Sequence, residues 1–262
     1  MSYKDKSVVV TGCASGIGAA VSRALLAEGA HVIGLDRQTG AHDGLAARIA
    51  VDLGDPESID AAASRIAGPV DALFHCAGLS PTQPLLAVIR VNFLGLRHLT
   101  QALLPVMRDG GAIASISSNG GLNWRSRKDW IVDFLETADF AEGLEWVERH
   151  RDGIENGYRF AKEALTVWTM RESARLIRRG IRINCTSPGA VQTPMLSEIE
   201  EKVSAAAIDV TTDPIGRRSP PEEQAAPLLF LNSDAASYIN GVDLPVDGGF
   251  AARVALGTVG KG

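Results

Sequence analysis

Thr11-Gly12-Cys13-Ala14-Ser15-Gly16-Ile17-Gly18 decides the fold, because it lies between a β-branched run over 7–11 and an amphipathic segment over 17–28. Glycines at these intervals let a chain leave a strand, turn tightly and start a helix against it. Gly12, Ser15, Gly16, Ile17 and Gly18 then surround the helix N-terminus. Free backbone amides and the positive end of the helix dipole favour an anion there, above all a pyrophosphate. A glycine triplet also serves ordinary turns, so the strand before it and the helix after it carry the phosphate-binding reading.

Working outward, the same alternation of strand and helix runs through the chain. Short apolar runs predict strands at 7–11, 31–36, 48–52, 72–76, 112–117, 181–186 and 242–246. Amphipathic stretches predict helices at 17–28, 56–66, 93–107, 158–178 and 221–232. Asp55-Pro56 opens one of these, and Gly29 and Gly180 close others. Strands joined by helices in this way form an α/β, doubly wound parallel sheet of about seven strands with helices on both faces. Its ligand crevice lies at the carboxyl ends of the strands, where every motif below falls. No repeat or linker divides residues 1–262, so one domain is expected, with a loosely held tail after Gly249.

A length of 262 residues is within reach of a single α/β sheet, and 45% hydrophobic with 22% charged residues supplies a sizeable core. The net charge of -5, with basic residues scattered, points away from nucleic acid and towards a small-molecule ligand. No apolar run approaches the roughly 20 residues that cross a bilayer, and the start is polar; no membrane and a cytoplasmic location are expected. Cys13, Cys76 and Cys185 stand far apart, with no CxxC and no histidine at metal-ligand spacing. They read as reduced, buried thiols, with no metal.

Asp36 ends the second predicted strand, at the customary interval of about 20 residues beyond the glycines. A carboxylate there accepts the ribose hydroxyls of a dinucleotide and repels a 2′-phosphate, which favours NAD over NADP. Arg37 follows and could pair with that phosphate. A strand-end turn is the plain alternative for Asp36. Asp52-Leu53 and Cys76-Ala77-Gly78 close the next two strands, where an adenine ring or adenosine ribose would lie.

Tyr158 and Lys162 are spaced to share one helical face. A free phenol has a pKa near 10, so making tyrosinate near neutrality asks for roughly 3 units, or about 4 kcal/mol, from nearby positive charge. Lys162 and the cationic ring of NAD+ are the evident suppliers. The same spacing also arises from a half-buried aromatic beside a solvated lysine. Ser117-Ser118 at the end of the fifth strand and Asn92 at a helix start fall on the same side of the sheet.

Taken in order, the Thr-Gly-x3-Gly-x-Gly loop, Asp52-Leu53, Cys76-Ala77-Gly78, Asn92, Ile116-Ser117-Ser118, Tyr158-x3-Lys162, Pro188-Gly189 with Thr193, and Asp247-Gly248-Gly249 resemble the short-chain dehydrogenase/reductase family. The resemblance runs from about Lys6 to Gly249 and implies a Rossmann-type fold. It further implies that Tyr158 is the general acid/base at the carbinol oxygen and that Ser118 donates to that oxygen. By the same resemblance Lys162 lowers the phenol pKa and binds the nicotinamide ribose, and Asn92 holds a proton-passing water. Pro188, Gly189, Val191 and Thr193 surround the nicotinamide, with Thr193 on its carboxamide. Relatives also imply a homo-oligomer, dimer or tetramer.

Two features depart from the family pattern. Cys76 stands where Asn is usual, which puts the rigidity of its loop in doubt. The interval from Ser118 to Tyr158 is much longer than usual, an insertion at about 119–156 that carries Trp124, Trp130, Phe134, Phe140 and Trp146. These aromatics either pack on the core from a helical pair or form an apolar wall or lid over a bulky, flat substrate. A flexible substrate loop is expected at about 190–215, with apolar Met195, Leu196 and Ile199. The insertion, the run from Tyr158 to Trp168 and the 239–249 ending resemble the subgroup of bacterial 3α-hydroxysteroid dehydrogenase/carbonyl reductase and coniferyl-alcohol dehydrogenase. That subgroup implies an NAD-dependent oxidoreductase for a hydrophobic secondary or allylic alcohol or ketone, steroidal or aryl. A polar sugar or acyl thioester substrate, or a non-catalytic NAD-sensing role on the same fold, remain as alternatives.

Overall fold

The computed structural model describes residues 2–38 and 44–259. Among them seven strands form one sheet: β1 (Ser7–Thr11), β2 (His31–Asp36), β3 (Ala47–Ala50), β4 (Val70–His75), β5 (Met107–Ile116), β6 (Arg182–Pro188) and β7 (Asp243–Val246). The order is β3-β2-β1-β4-β5-β6-β7, every pair parallel, which is the expected doubly wound sheet. The winding reverses between β1 and β4, and the loops leaving these two strands must diverge there and open a crevice.

Both faces of the sheet are covered. Along β1 the side chains alternate: Val8 and Val10 join one buried cluster, Val9 the other. The first cluster packs under α1 (Gly16–Ala27) and α10 (Pro221–Asn232) with Leu25, Phe74 and Leu228. The second packs under α2 (Pro56–Ala63), α4 (Leu96–Leu103) and α7 (Gly157–Leu176) with Leu73, Phe93 and Phe160. None of the helices described is long and apolar enough to cross a membrane.

Several boundaries differ from those predicted. The helix expected over 93–107 is a longer rod: α3 (Leu85–Ile89), a π-helical stretch Arg90–Gly95, α4, and a 3-10 turn Leu104–Val106. Leu-Leu-Ala-Val-Ile is apolar throughout and shows no helical period, which hides α3 from a pattern reading. β5 starts at Met107, not 112, because Met107 pairs with Val70 across a register shift that spans Asp109-Gly110-Gly111. β3 ends at Ala50, so Asp52 lies in the loop beyond it. Past Gly249 the chain forms α11 (Phe250–Ala255), and Arg253 pairs with Asp213 at 3.1 Å, so this helix is held where looseness was expected; 260–262 lie outside the described residues.

Residues 119–156 contain α5 (Lys128–Leu135) and α6 (Phe140–Arg149). Asp139 caps α6 by accepting from the Glu142 amide at 2.9 Å, and Glu142 accepts from the Ala138 amide at 2.8 Å. Buried Arg97 of α4 donates to the carbonyls of Thr137 and Asp139, fastening the α5–α6 turn to the body. The aromatics point inward. Phe134 is 0% exposed, with ring centroids 5.2 Å from Phe93, 5.2 Å from Phe160 and 5.0 Å from Trp146. Trp130 also packs on Phe160, and the Trp146 indole donates to Asp133 at 2.7 Å. This hairpin covers the outer side of α7, and residues 160–169 are consequently buried all round.

Candidate active site

A cleft of about 300 Å³ opens at the carboxyl ends of the strands. Its first wall is the turn after β1. Gly12 has φ 68°, and a Cβ there would stand 2.8 Å from the Ala77 Cα, so only glycine lets the β1 and β4 loops meet. A Cβ at Gly18 would lie 2.1 Å from the Gly12 carbonyl oxygen, so this glycine seats α1 on the turn; it does not line the cleft. The Thr11 hydroxyl accepts from the amides of Cys76 (3.0 Å) and Ala77 (3.1 Å). That anchors the Cys76-Ala77-Gly78 loop through its backbone whatever side chain stands at 76. Cys76 itself is half-buried and lines the cleft; Cys13 and Cys185 are buried as expected.

These residues suit a dinucleotide. Ser15, Gly16 and Ile17 face the cleft from the start of α1. The Ser15 hydroxyl makes no side-chain capping bond among the described residues, and no acidic side chain occupies the first turn. Bare amides and a hydroxyl at the positive end of a 12-residue helix form a cradle for a pyrophosphate. Beyond it, Asp36 accepts from the Ala14 amide (3.0 Å) on one oxygen and from the Gln38 amide (2.9 Å) on the other. Its carboxylate therefore ties the glycine turn to the end of β2 and keeps lone pairs for a ribose. Arg37, Asp52 and Leu53 line the same end, with the Asp52 carboxylate accepting from the Gly54 amide at 2.8 Å.

The other end of the cleft holds Ser118, Tyr158 and Lys162. Asn156 caps α7 by accepting from the Arg159 amide at 3.0 Å, which sets the helix phase that brings Tyr158 and Lys162 to the sheet. The Gly120 amide donates to Ser118 Oγ at 3.1 Å, and a Cβ at Gly120 would sit 3.4 Å from the Tyr158 ring and 3.5 Å from that same Oγ. Lys162 is 5% exposed; its Nζ donates to the Ile116 carbonyl at 2.6 Å and lies 5.6 Å from the Tyr158 ring centroid. Burial lowers the Lys162 pKa to about 8. Burial likewise raises the Tyr158 phenol, and the group drawing it back down is the Ser118 hydroxyl. Desolvation thus outweighs the Ser118 hydroxyl at the phenol.

Asn92 is buried as well. It sits in the π-helical stretch, 1% exposed, with Oδ1 accepting from the Leu79 amide at 2.7 Å and Nδ2 donating to the Leu79 carbonyl at 2.9 Å. Its side chain fastens the loop after Gly78 and does not line the cleft. Pro188, Gly189, Val191 and Thr193 line the cleft below α8 (Pro194–Glu200), and Thr193 caps that helix by accepting from the Leu196 amide at 3.3 Å.

The segment expected to be a flexible loop is helical, with α8 followed by α9 (Ala205–Asp209). Met195, Leu196 and Ile199 of α8 line the cleft with Leu79. Trp124, Trp130, Phe134, Phe140 and Trp146 do not, so the aromatic wall is corrected to an aliphatic one. Leu35, Gln38, Val51 and Leu79 also line it and were not singled out in the sequence. Leu35, Gln38 and Val51 stand within two residues of a strand end and Leu79 directly follows Cys76-Ala77-Gly78, which are the signals that could have found them.

Models of two protein families match the chain: "short chain dehydrogenase" over residues 6–128 and "Enoyl-(Acyl carrier protein) reductase" over 149–251. Apart from its end residues Lys128 and Arg149, the α5–α6 hairpin falls between the two matches. The chain is 36% identical to a coniferyl-alcohol dehydrogenase of a Pseudomonas strain over 96% of this chain and 99% of that protein. It is 33% identical to the 3-alpha-hydroxysteroid dehydrogenase/carbonyl reductase of Comamonas testosteroni, over 94% and 96%. Among solved structures, the 3-alpha-hydroxysteroid dehydrogenase of Pseudomonas sp. B-0831, complexed with NADH, superposes with a TM-score of 0.82 at 29% identity, covering 96% of this chain and 99% of the other.

Proposed function

The chain belongs to the short-chain dehydrogenase/reductase family of oxidoreductases, and from that premise we propose that it interconverts a bulky hydrophobic secondary or allylic alcohol and its carbonyl with NAD in preference to NADP. One observation carries the substrate class: Ser118, Tyr158 and Lys162 share a cleft with the aliphatic side chains Leu79, Met195, Leu196 and Ile199. An apolar alcohol gains from leaving water there, at about 25 cal/mol per Å² of surface covered. The names of the similar enzymes, coniferyl-alcohol and 3-alpha-hydroxysteroid dehydrogenase, agree with that class.

When bound, the nicotinamide supplies the acceptor or donor of the hydride. The residues of this chain handle the proton. Tyr158, with its pKa raised by burial, rests as the neutral phenol and is ready to protonate a carbonyl oxygen as that carbon is reduced. In the oxidative direction Tyr158 takes the hydroxyl proton of the alcohol, and the Lys162 ammonium 5.6 Å from its ring stabilises the phenolate. The Gly120 amide holds Ser118 Oγ as an acceptor, leaving the hydroxyl hydrogen to turn from Asn119 Oδ1, 3.3 Å away, to the substrate oxygen. Asp36 would receive the adenosine ribose and repel a 2′-phosphate. Lys162 and Thr193 would meet the nicotinamide half. We also place the enzyme in the cytoplasm as a homo-oligomer, a state that sedimentation velocity reports directly.

The test follows absorbance of reduced nicotinamide with NAD+ and NADP+ separately, against coniferyl alcohol, a 3α-hydroxysteroid and a sugar alcohol. NAD+-dependent turnover of a hydrophobic alcohol is expected, with Asp36→Ala narrowing the preference for NAD+ by an order of magnitude or more. Turnover confined to the sugar alcohol, or an NADP+ preference in the wild type, would overturn the reading.

A further inference from the structure

Helix α8 presents Met195, Leu196 and Ile199 to the cleft, and one of its two acidic residues, Glu198, reaches across to the loop after Leu79. Three side-chain donors from one short loop converge on a single oxygen of its carboxylate. Ser80 Oγ donates at 2.8 Å, Gln83 Nε2 at 2.6 Å, and the Thr82 hydroxyl makes a third, shorter bond. The donors are linked in turn through the backbone: the Thr82 amide donates to Ser80 Oγ at 3.3 Å. Lys202, just past the helix, adds a bond from Nζ to the Thr82 carbonyl at 3.3 Å.

This loop continues directly from Cys76-Ala77-Gly78-Leu79, which lines the opposite wall of the cleft. On its other flank α8 is held by Arg218, which pairs with Glu200 at 2.5 Å and with Asp209 of α9 at 2.9 Å. Arg218 therefore clasps the helical segment to its own base, whereas Glu198, with the exposed Lys202 bond beside it, bridges the two walls by its side chain. Glu198 is half-buried, so water can replace its donors when the bridge parts. The same three hydrogen bonds hold its carboxyl below the usual carboxylate range, in keeping with a charged acceptor.

We propose that Glu198 is a positioning residue that latches α8 onto the 80–83 loop and thereby sets how long a nicotinamide cofactor and its alcohol remain in the cleft. The consequence for the cofactor rests on the oxidoreductase reading above; the latch itself is a property of the protein alone. Opening the bridge has to accompany every release, and the bonds from Ser80, Thr82 and Gln83 must break each time.

The experiment compares wild type with Glu198→Ala, Glu198→Gln, Thr82→Val and the Glu198→Ala/Thr82→Val pair. Hydrogen exchange of the intact protein without ligand should show amides over 194–200 exchanging roughly tenfold faster in Glu198→Ala, with the strands unchanged, as loss of hydrogen bonds to a charged acceptor predicts. Stopped-flow fluorescence should show NADH leaving roughly tenfold faster, and KM for the alcohol rising while single-turnover hydride transfer at saturation stays near wild type. Glu198→Gln, which keeps an acceptor oxygen, should recover part of both effects. The double variant should be no worse than Glu198→Ala, because both substitutions cut the same bridge. Unchanged exchange over 194–200 overturns the latch, as does a loss of protection spread evenly over the sheet. Failure of the wild type to bind NADH would instead count against the cofactor reading, and the exchange result would still decide the latch.

Discussion

Replacing Phe134 by alanine separates the two roles that the aromatic insertion could have. In the structure this ring is 0% exposed and packs on Phe93, Phe160 and Trp146 at centroid distances of 5.2, 5.2 and 5.0 Å. Truncating a buried phenylalanine costs about 3–5 kcal/mol through lost transfer energy and the cavity left behind. The upper part of that range applies, because three rigid rings cannot collapse into the space and each aromatic pair adds roughly 0.5–1.5 kcal/mol. For a domain of this size a loss of that order lowers the thermal midpoint by on the order of 10 °C. Urea unfolding followed by tryptophan fluorescence measures the free energy, and scanning calorimetry the midpoint. Well below that midpoint, KM for a hydrophobic alcohol should stay within about twofold of wild type, since Phe134 does not line the cleft. A variant of unaltered stability whose KM rises tenfold would refute the reasoning and restore the insertion as a substrate wall.

Three other expectations follow from the same geometry. Lys162→Met should be more stable than wild type at pH 7, because burial holds the ammonium at about 8 against its ordinary 10.5, a gain of about 3 kcal/mol that the orphaned Ile116 carbonyl offsets in part. Between pH 8 and 10.5 the unfolded chain binds the proton more readily, so wild-type stability rises with pH across that window and the advantage of the variant is lost. Urea unfolding at pH 7 and 10 checks this, and a difference that persists at the higher pH contradicts it. Tyr158→Phe should cut turnover roughly 10²–10⁴-fold while NADH affinity, read by fluorescence titration, stays near wild type; undiminished turnover would remove Tyr158 from the chemistry. Arg97→Met should lower the midpoint by several degrees through the orphaned carbonyls of Thr137 and Asp139, with calorimetry as the measure.

The parallel sheet and the location of the cleft were legible in the amino-acid sequence because both depend on local rules. The turn from Thr11 to Gly18 can be read from its neighbours, since glycine at 18 is demanded by the Gly12 carbonyl six residues before it and Gly12 turns the chain at a positive φ, and α1 starts where the turn ends; that Gly12 also lies against Ala77 only the packed chain decides. Apolar runs of strand length alternating with amphipathic segments specify crossovers, and crossovers of one hand specify the sheet. Tyr158 and Lys162 share a helical face by spacing alone.

What a face meets is another matter, and tertiary structure decided it. The helical period places Trp130 and Phe134 side by side but is silent on whether the α5–α6 hairpin docks on α7 or over the cleft; the Arg97 bonds and the outer side of α7 determined that. Asn92 has the same character: its amide could face water or backbone, and the π-helical stretch aims it at Leu79. Glu198 reads as one more surface acid until its donors, more than a hundred positions earlier in the chain, are brought to it. Pattern along a chain fixes which residues travel together; contacts between distant segments, and the desolvation that raises Tyr158 and lowers Lys162, exist only once those segments have packed.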